Sequence, residues 1–382
     1  MSRRTDGTTD LHAYATAGGV IVERSAAEVD GARLTELAAD LDQRRGGVLS
    51  SGVEYPGRYS RWHLGYIDPP IELVARGRTL GVRALNDRGL VLLPALRAVL
   101  DPDHLTDRPD GFEVHVAPGE PGFPEEERSR QPTVFTPLRA LTALFASEAD
   151  PHLGFYGAFG YDLALQFEPL RTRLERPSDQ RDLVLHLPDE IFVIDRKRET
   201  CRRYRYEFVV DGRTTAGLPR VTPPAPAARG PVRPVPESPE PGSFARIVEQ
   251  AKERFRRGDL FEVTPGHVLY GACDSPAAFY ERLRTHNPAP YEFFFNLGEG
   301  EHLVAASPEM YVRVTGDRVE TCPIAGTIRR GADALEDSDQ ILRLLGSTKD
   351  EAELTMCTDV DRNDKSRVCV PGTVEVIGRR QI

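Results

Sequence analysis

The sequence has few cysteines, no long apolar run and no concentration of basic residues. Its five cysteines are odd in number and widely spaced, and no two form a CxxC pair, so neither a disulfide framework nor a zinc site is indicated. No stretch approaches the ~18 apolar residues of a membrane span, and the polar residues near the start predict that there is no signal peptide. We therefore expect a cytoplasmic protein that makes no contact with membranes.

The charge balance argues against nucleic acid as a partner. The 49 Lys and Arg residues are scattered among 59 Asp and Glu, which gives a net charge of −10. Hydrophobic residues make up 40% of the chain and charged residues 28%, as in ordinary globular proteins. A chain of 382 residues exceeds the size at which single cores stop growing, about 250 to 300 residues, so two lobes are expected.

A proline-rich segment over residues 218–241 predicts an extended connector. It separates an N-terminal lobe, residues 1–217, from a second domain, residues 242–382. In the first lobe, periodicity and turn residues predict strands at 20–23, 90–93, 191–194 and 203–210, and helices at 32–42 and 137–145.

After the connector, Ser243 is a candidate cap for a helix that Gly258 ends, and Pro276 opens a second helix. A short strand is predicted between these helices, at 260–264. Two hairpins should follow, the first from 291–297 and 302–306 and the second from 310–314 and 318–321. The predicted fold class is α+β, with antiparallel β-sheets and helices packed on them.

An acidic run at 348–357 predicts a helix with Thr348 as a candidate cap. Asp350 and Glu353 lie three residues apart and share one face of that helix, where two carboxylates can bind Mg²⁺. On spacing alone, a solvated acidic face is the more common explanation.

Four further segments contain notable polar or small residues. Glu309 follows a predicted strand and would suit general acid catalysis if burial raised its pKa, although a surface turn is more common. The small residues at 323–327 allow close approach of a carboxylate to backbone N–H groups, although a plain turn is more common there too. The Asp and Asn residues at 359–364 predict turn bonds, with Arg362 neutralising its neighbours. The glycines at 154–160 predict close backbone packing rather than a phosphate loop.

Taken together and in order, the segments resemble the chorismate-utilising enzymes. The resemblance is strong over residues 244–382, and residues 55–62 and 65–70 are similar to the N-terminal lobe of anthranilate synthases fused to a glutaminase. The motifs are residues 258–263, 287–291, 306–309, 323–327, 330–331, 336–337, 349–353 and 361–364.

The resemblance implies a role for each candidate residue. Glu353 would bind Mg²⁺, and Asp350 would support the metal where the family usually has a glutamate. Glu309 would be the acid that helps the C4 hydroxyl leave, while Gly326 and Thr327 would line the chorismate site. Ammonia from a glutaminase domain or subunit would add at C2, and loss of pyruvate would then give anthranilate for tryptophan biosynthesis.

Two positions bear on the nucleophile. Glu262 stands where isochorismate and salicylate synthases carry the lysine that activates water, and Ala325 stands where aminodeoxychorismate synthases often have a nucleophilic lysine. Ammonia is thus favoured, and the chain resembles anthranilate synthase. The alternatives are 2-amino-2-deoxyisochorismate synthase, which retains the pyruvyl group, and a non-catalytic module that binds an amino acid or a partner subunit.

The resemblance also implies a tryptophan feedback site. Residues 287–291 would form one wall, with Pro290 and Tyr291, and Ser51 would lie on the opposite wall. Ser50 stands where the family more commonly has an acidic residue. Because family members continue well beyond residue 382 with further metal and substrate ligands, we expect the chain alone to be inactive, and turnover of chorismate would disprove this.

Overall fold

A computed structural model describes residues 10–53, 62–119, 122–168, 170, 172–173, 175–227, 240–260, 262–266 and 269–382. Its regular structure is mainly β in the first half of the chain and more helical in the second. The strands are β1 Asp10–Ala15, β2 Ile21–Val29, β3 Gly46–Ser50, β4 Trp62–Ile67, β5 Ile71–Arg76, β6 Thr79–Ala84, β7 Leu105–Arg108, β8 Gly111–His115, β9 Tyr156–Phe159, β10 Leu183–Leu187, β11 Glu190–Asp195, β12 Thr200–Val210, β13 Arg213–Thr214, β14 Tyr291–Asn296, β15 His302–Ser307, β16 Met310–Thr315 and β17 Arg318–Cys322.

The helices fall into two groups by burial. Apolar residues of α1, α2, α3 and α5 are buried, whereas α4, α6 and α7 have no buried residue among those described. The α-helices are α1 Arg33–Asp40, α2 Asp87–Ala98, α3 Phe135–Phe145, α4 Ser243–Arg256, α5 Pro276–His286, α6 Ala334–Leu345 and α7 Thr348–Ser366, and short 3-10 helices lie at Pro102–His104, Glu125–Arg130 and Tyr161–Gln166.

The larger sheet has nine strands and joins both halves of the chain. Its order is β1-β2-β12-β11-β4-β3-β14-β15, with β13 paired to β12. Glu292 of β14 lies opposite Ser50 of β3, so strands from before and after the proline-rich segment share one ladder. Residues 228–239 of that segment lie outside the described residues, and the domain division remains a prediction.

The smaller sheet, β7-β8-β6-β5-β10-β9, packs with α2 and α3 around the main apolar core. A second core forms where α1 and α5 lie against β3, β11 and β14, and it includes Phe192, Tyr280 and Phe294. A third joins the two sheets through Tyr66, Val184 and Phe295. Apolar contacts therefore hold β3 and β14 in place from both faces of the larger sheet.

The α+β fold class is confirmed, because the recorded ladders are antiparallel and helices cover the sheets. The strand predicted at 90–93 was wrong, since those residues belong to α2. The predicted strand at 260–264 is also absent from its described residues, Phe261 lying outside them. Residues 359–364 do not form a turn but continue α7.

Two predicted helix caps were also wrong. Gly242 rather than Ser243 precedes α4, with no side-chain cap bond, because its φ of 82° lets the backbone turn into the helix. Ser347 rather than Thr348 caps α7, and its hydroxyl accepts the N–H of Asp350 at 3.3 Å. By contrast, Pro276 begins α5 as predicted, and the Ser275 hydroxyl caps the helix by accepting the Ala278 N–H.

Candidate functional site

The first turn of α7 places the two predicted metal ligands side by side. The ammonium of Lys349 lies 2.7 Å from Glu353 Oε2 and 3.3 Å from Asp350 Oδ1, so one cation bridges both carboxylates. The Asp350 side chain is 20% exposed and that of Glu353 is 37% exposed. The Ser347 hydroxyl and then the Lys349 ammonium lower the pKa of Asp350 below its usual value, so its negative charge persists to a lower pH than that of an ordinary aspartate.

Gly326 packs directly against the Asp350 side chain. A Cβ at this glycine would lie 2.9 Å from Asp350 Cβ and 3.1 Å from its Cγ. Its φ of 81° lies in the left-handed region, where a side chain adds strain. Gly326, predicted to bind substrate, and Asp350, predicted to support the metal, are thus in contact although they lie 24 positions apart in sequence. A larger residue at position 326 would force this contact apart.

Glu309 and the segment 323–327 lie at the same end of the β16–β17 hairpin. Met310 pairs with Cys322, which puts the residue before β16 beside the residues that follow β17. Glu309 and Thr327 are both exposed, and the Glu309 N–H donates to Ser307 Oγ at 3.2 Å. The Glu309 side chain therefore lies on the surface of the protein and not in a buried setting.

Helix α7 is held to this hairpin by a polar contact that the sequence did not predict. The Thr321 hydroxyl of β17 donates to Asp361 at 2.5 Å, and the Lys365 ammonium contacts the same hydroxyl. Burial, followed by the charges of Glu262 and Glu353, raises the pKa of the Cys357 thiol. Glu262 therefore lies near the face of α7 that carries Glu353.

The donor chemistry at the start of α7 suits Mg²⁺. Mg²⁺ takes hard oxygen donors and is often held by one or two carboxylates, with water or ligand oxygens completing the shell. Asp350 and Glu353 supply two such carboxylates, already gathered around a cation. Within the described ranges no group of three or more His, Cys, Asp or Glu side chains is arranged to hold a metal, so this pair would need ligand oxygens or water.

The residues predicted to bind tryptophan, Ser51, Pro290 and Tyr291, lie close together where β3 ends. We call these residues and their neighbours the second cluster. The Gly52 N–H donates to the Ala289 carbonyl at 2.8 Å, which joins the chain beside Ser51 to the chain beside Pro290. The two predicted walls are therefore adjacent. Residues 55–61 of the N-terminal motif lie outside the described residues.

Arg196 is a neighbour of Ser51 that sequence reasoning missed. Its guanidinium donates to the Ser51 carbonyl at 2.8 Å from the turn after β11. Three further side chains of this second cluster were also missed, namely Glu292, Arg284 and Tyr280, although Glu292 directly follows the predicted motif. An acidic residue inside an aromatic strand was the available signal.

The second cluster is also connected, through β15, to Glu309 at the start of the β16–β17 hairpin. Tyr291 pairs with Ser307 across the β14–β15 ladder, and the Ser307 hydroxyl accepts the N–H of Glu309. One cross-strand pair and one hydrogen bond thus link Tyr291, a residue predicted to bind tryptophan, to Glu309, the predicted catalytic acid.

His63 gives the second cluster a distinct dependence of stability on pH. Burial, with Arg196 and Arg284 adding to it, lowers the pKa of His63 to about 4, and among the described residues its Nε2 has no hydrogen-bond partner. The unfolded chain takes up a proton below its ordinary pKa of 6.5, whereas the folded chain does not until about 4. Stability should therefore fall as the pH drops through that window.

We expect this contribution to be on the order of 1 kcal/mol, after discounting for the partial exposure of the ring. Urea unfolding of the wild type and of His63→Gln at pH 7 and pH 4.5 measures it. The glutamine variant should lose less stability between the two pH values than the wild type does. Equal losses would show that His63 is not held neutral.

The chain is similar in sequence to a family of chorismate-binding enzymes and to several anthranilate synthases. A family model described as chorismate binding enzyme matches residues 116–382. The chain is 55% identical over 380 residues to an anthranilate synthase of Azospirillum brasilense, covering 97% of this chain and 51% of that protein. It is 31% identical to anthranilate synthase component 1 of Salmonella typhimurium, covering 80% and 63%.

The chain thus spans about half the length of the first of these relatives. Among solved structures, anthranilate synthase component I from Streptococcus pneumoniae aligns with a TM-score of 0.45 and 22% identity, over 82% of this chain and 63% of that one. No helix in the described part of the chain has the length and apolar character needed to cross a bilayer.

Proposed function

Because the chain belongs to the chorismate-binding enzyme family, we propose that it binds chorismate at the start of α7 and serves an anthranilate synthase reaction. The observation that carries this proposal is the contact of Gly326 with Asp350, one helical turn from Glu353. It brings the backbone proposed to receive substrate to the carboxylates proposed to hold Mg²⁺. The location proposed is the cytoplasm.

The reaction converts chorismate and ammonia into anthranilate, pyruvate and water. Ammonia adds at C2 as the C4 hydroxyl departs, and loss of the C2 proton with the pyruvyl ether then makes the ring aromatic. Glu309 is the residue proposed to donate the proton that lets the hydroxyl leave as water. Its surface position beside residues 323–327 suits a group that is enclosed only when substrate is bound.

Gly326 and Thr327 are proposed to orient the substrate through their backbone, since a glycine in the left-handed region leaves its N–H group accessible to a carboxylate. Asp350 and Glu353 would hold Mg²⁺, which neutralises and anchors a substrate carboxylate when bound. In that state the Lys349 ammonium would have to leave the carboxylates, because two cations cannot share them without repulsion.

Two further partners belong to the proposal. A glutaminase domain or subunit would deliver the ammonia, as the relatives named anthranilate synthase component 1 suggest. Tryptophan would bind at the second cluster, with Ser51, Pro290 and Tyr291 in contact with it. The link from Tyr291 through Ser307 to Glu309 supports a feedback role for that site.

Calorimetric titration with chorismate tests the proposal. In the presence of Mg²⁺ we expect saturable binding of one chorismate per chain, and binding should weaken about tenfold or more when the metal is removed with EDTA. An absence of binding in both conditions would contradict it.

Product analysis separates the two amination reactions. Because residues 1–382 alone are expected to be inactive, this test uses the chain extended to the length of its relatives. When ammonium is added to that protein, anthranilate and pyruvate in equal amounts support anthranilate synthase chemistry. An aminated product formed without pyruvate identifies 2-amino-2-deoxyisochorismate synthase instead. The variant Glu309→Gln tests the proposed acid. It should slow either reaction by about 10²- to 10⁴-fold, while the affinity for chorismate falls by a much smaller factor.

A further inference from the structure

Glu292 is a carboxylate buried at the point where the second cluster is assembled. It is 1% exposed and lies on β14, directly after the predicted wall residues Pro290 and Tyr291. A charged group in this position needs partners, since burying it unpaired would cost several kcal/mol. Its partners therefore show what the carboxylate does.

Three different elements donate to this one carboxylate. The Ser50 hydroxyl, at the end of β3, donates to Oε2 at 3.0 Å, and Arg284 Nε of α5 donates to the same oxygen at 2.9 Å. The Ala289 N–H donates to Oε1 at 3.2 Å. The carboxylate thus joins β3, α5 and the loop that leads into β14.

The α5 side of this arrangement is rigid. The hydroxyl of Tyr280, a fully buried side chain, lies 2.8 Å from Ser50 Oγ, and the Arg284 guanidinium stacks over the Tyr280 ring. Gly52 completes the packing, because a Cβ there would clash with Glu292 Oε1. The bond from the Gly52 N–H to the Ala289 carbonyl then closes the gap between the walls.

The predicted tryptophan-binding residues Ser51, Pro290 and Tyr291 are flanked by groups that contact this carboxylate. Ser51 lies between Ser50 and Gly52, and Pro290 and Tyr291 lie between Ala289 and Glu292 itself. We infer that Glu292 is a positioning residue, whose buried carboxylate holds both walls of the amino-acid site at a fixed separation. The tryptophan part of this inference rests on the proposed function, whereas the wall-positioning part does not.

Hydrogen exchange and tryptophan titration of the full chain test the inference together. In Glu292→Gln we expect the Gly52 N–H to exchange about tenfold faster, since the bond to Ala289 is no longer held in place, while amides of the β5–β6 ladder keep their protection. The dissociation constant for tryptophan should rise about five- to tenfold.

Two further variants separate positioning from general stability. Glu281→Gln is the matched control, because Glu281 also accepts from Arg284, at 3.3 Å, but on the exposed side of α5, and its Gly52 exchange should stay within about twofold of the wild type. Ser50→Ala removes one bond, and its effect should not multiply with that of Glu292→Gln in the double variant, since both act through one carboxylate.

Unchanged Gly52 exchange in folded Glu292→Gln would overturn the inference, whatever tryptophan does. Should that variant fail to fold, Ser50→Ala decides: faster Gly52 exchange supports the inference and unchanged exchange overturns it. If the wild type shows no tryptophan binding while Gly52 exchange accelerates in the variants, the positioning role stands and only the proposed ligand is wrong.

Discussion

Replacing Arg88 with leucine should lower the free energy of unfolding by about 3 to 5 kcal/mol. Arg88 is fully buried on α2 and pairs with the buried Asp189. Its guanidinium also donates to the carbonyls of Thr215 at 2.6 Å, Tyr206 at 2.8 Å and Leu218 at 3.2 Å. Leucine is shorter than arginine, so it leaves a cavity and also leaves an acid and three carbonyls without these donors.

Urea unfolding measures this loss, and α2 offers a matched control. Arg97 on the same helix pairs with Asp107 at the surface, so Arg97→Leu should cost no more than about 0.5 to 1 kcal/mol. The double variant Arg88→Leu with Asp189→Leu should be less destabilised than Arg88→Leu alone, because no buried charge is then left without its arginine. Similar losses for Arg88→Leu and Arg97→Leu would show that the buried pair is not structurally important.

Replacing Glu353 with glutamine should weaken Mg²⁺ binding by about 10- to 100-fold, the loss seen even for residues that only support metal ligands. The side chain keeps its size but loses the negative charge that a hard cation requires. Titration with Mg²⁺, followed by the amide resonances of the first turn of α7, measures the change.

Lys349→Met provides the opposite change at the same place. It removes the ammonium that bridges Asp350 and Glu353, so Mg²⁺ should bind a few-fold more tightly than in the wild type. Glu351→Gln is the neutral comparison, because Glu351 pairs instead with Arg380. Equal Mg²⁺ affinity in Glu353→Gln and Glu351→Gln would place the metal elsewhere.

Much of the fold was predictable because its signals are local. The hairpin around 298–301, the helix opened by Pro276 and the strands at 191–194 and 203–210 each follow from alternation or capping within a few residues. The error at 90–93 arose because a short apolar run is compatible with either a strand or a buried helix. Asn86, whose side chain accepts the N–H groups of Arg88 and Gly89, was the capping signal that decides for the helix.

The site was less predictable because its contacts are distant in sequence. The 323–327 segment and the 349–353 run were each ordinary alone, and only folding shows that Gly326 lies against Asp350. Glu292 was missed for a related reason: its meaning depends on Ser50, 242 residues away. An acidic residue within the aromatic strand β14 was a local signal, but it does not show which three elements share the carboxylate.

Mapping chorismate on the protein by amide chemical shifts is the most direct measurement of the central claim, that the substrate binds where residues 323–327 meet the start of α7. With Mg²⁺ present, we predict that added chorismate shifts the resonances of Gly326, Thr327, Asp350 and Glu353 together, with one affinity, and that Glu353→Gln abolishes these shifts. Shifts confined to other parts of the chain, or unchanged in Glu353→Gln, would contradict the account.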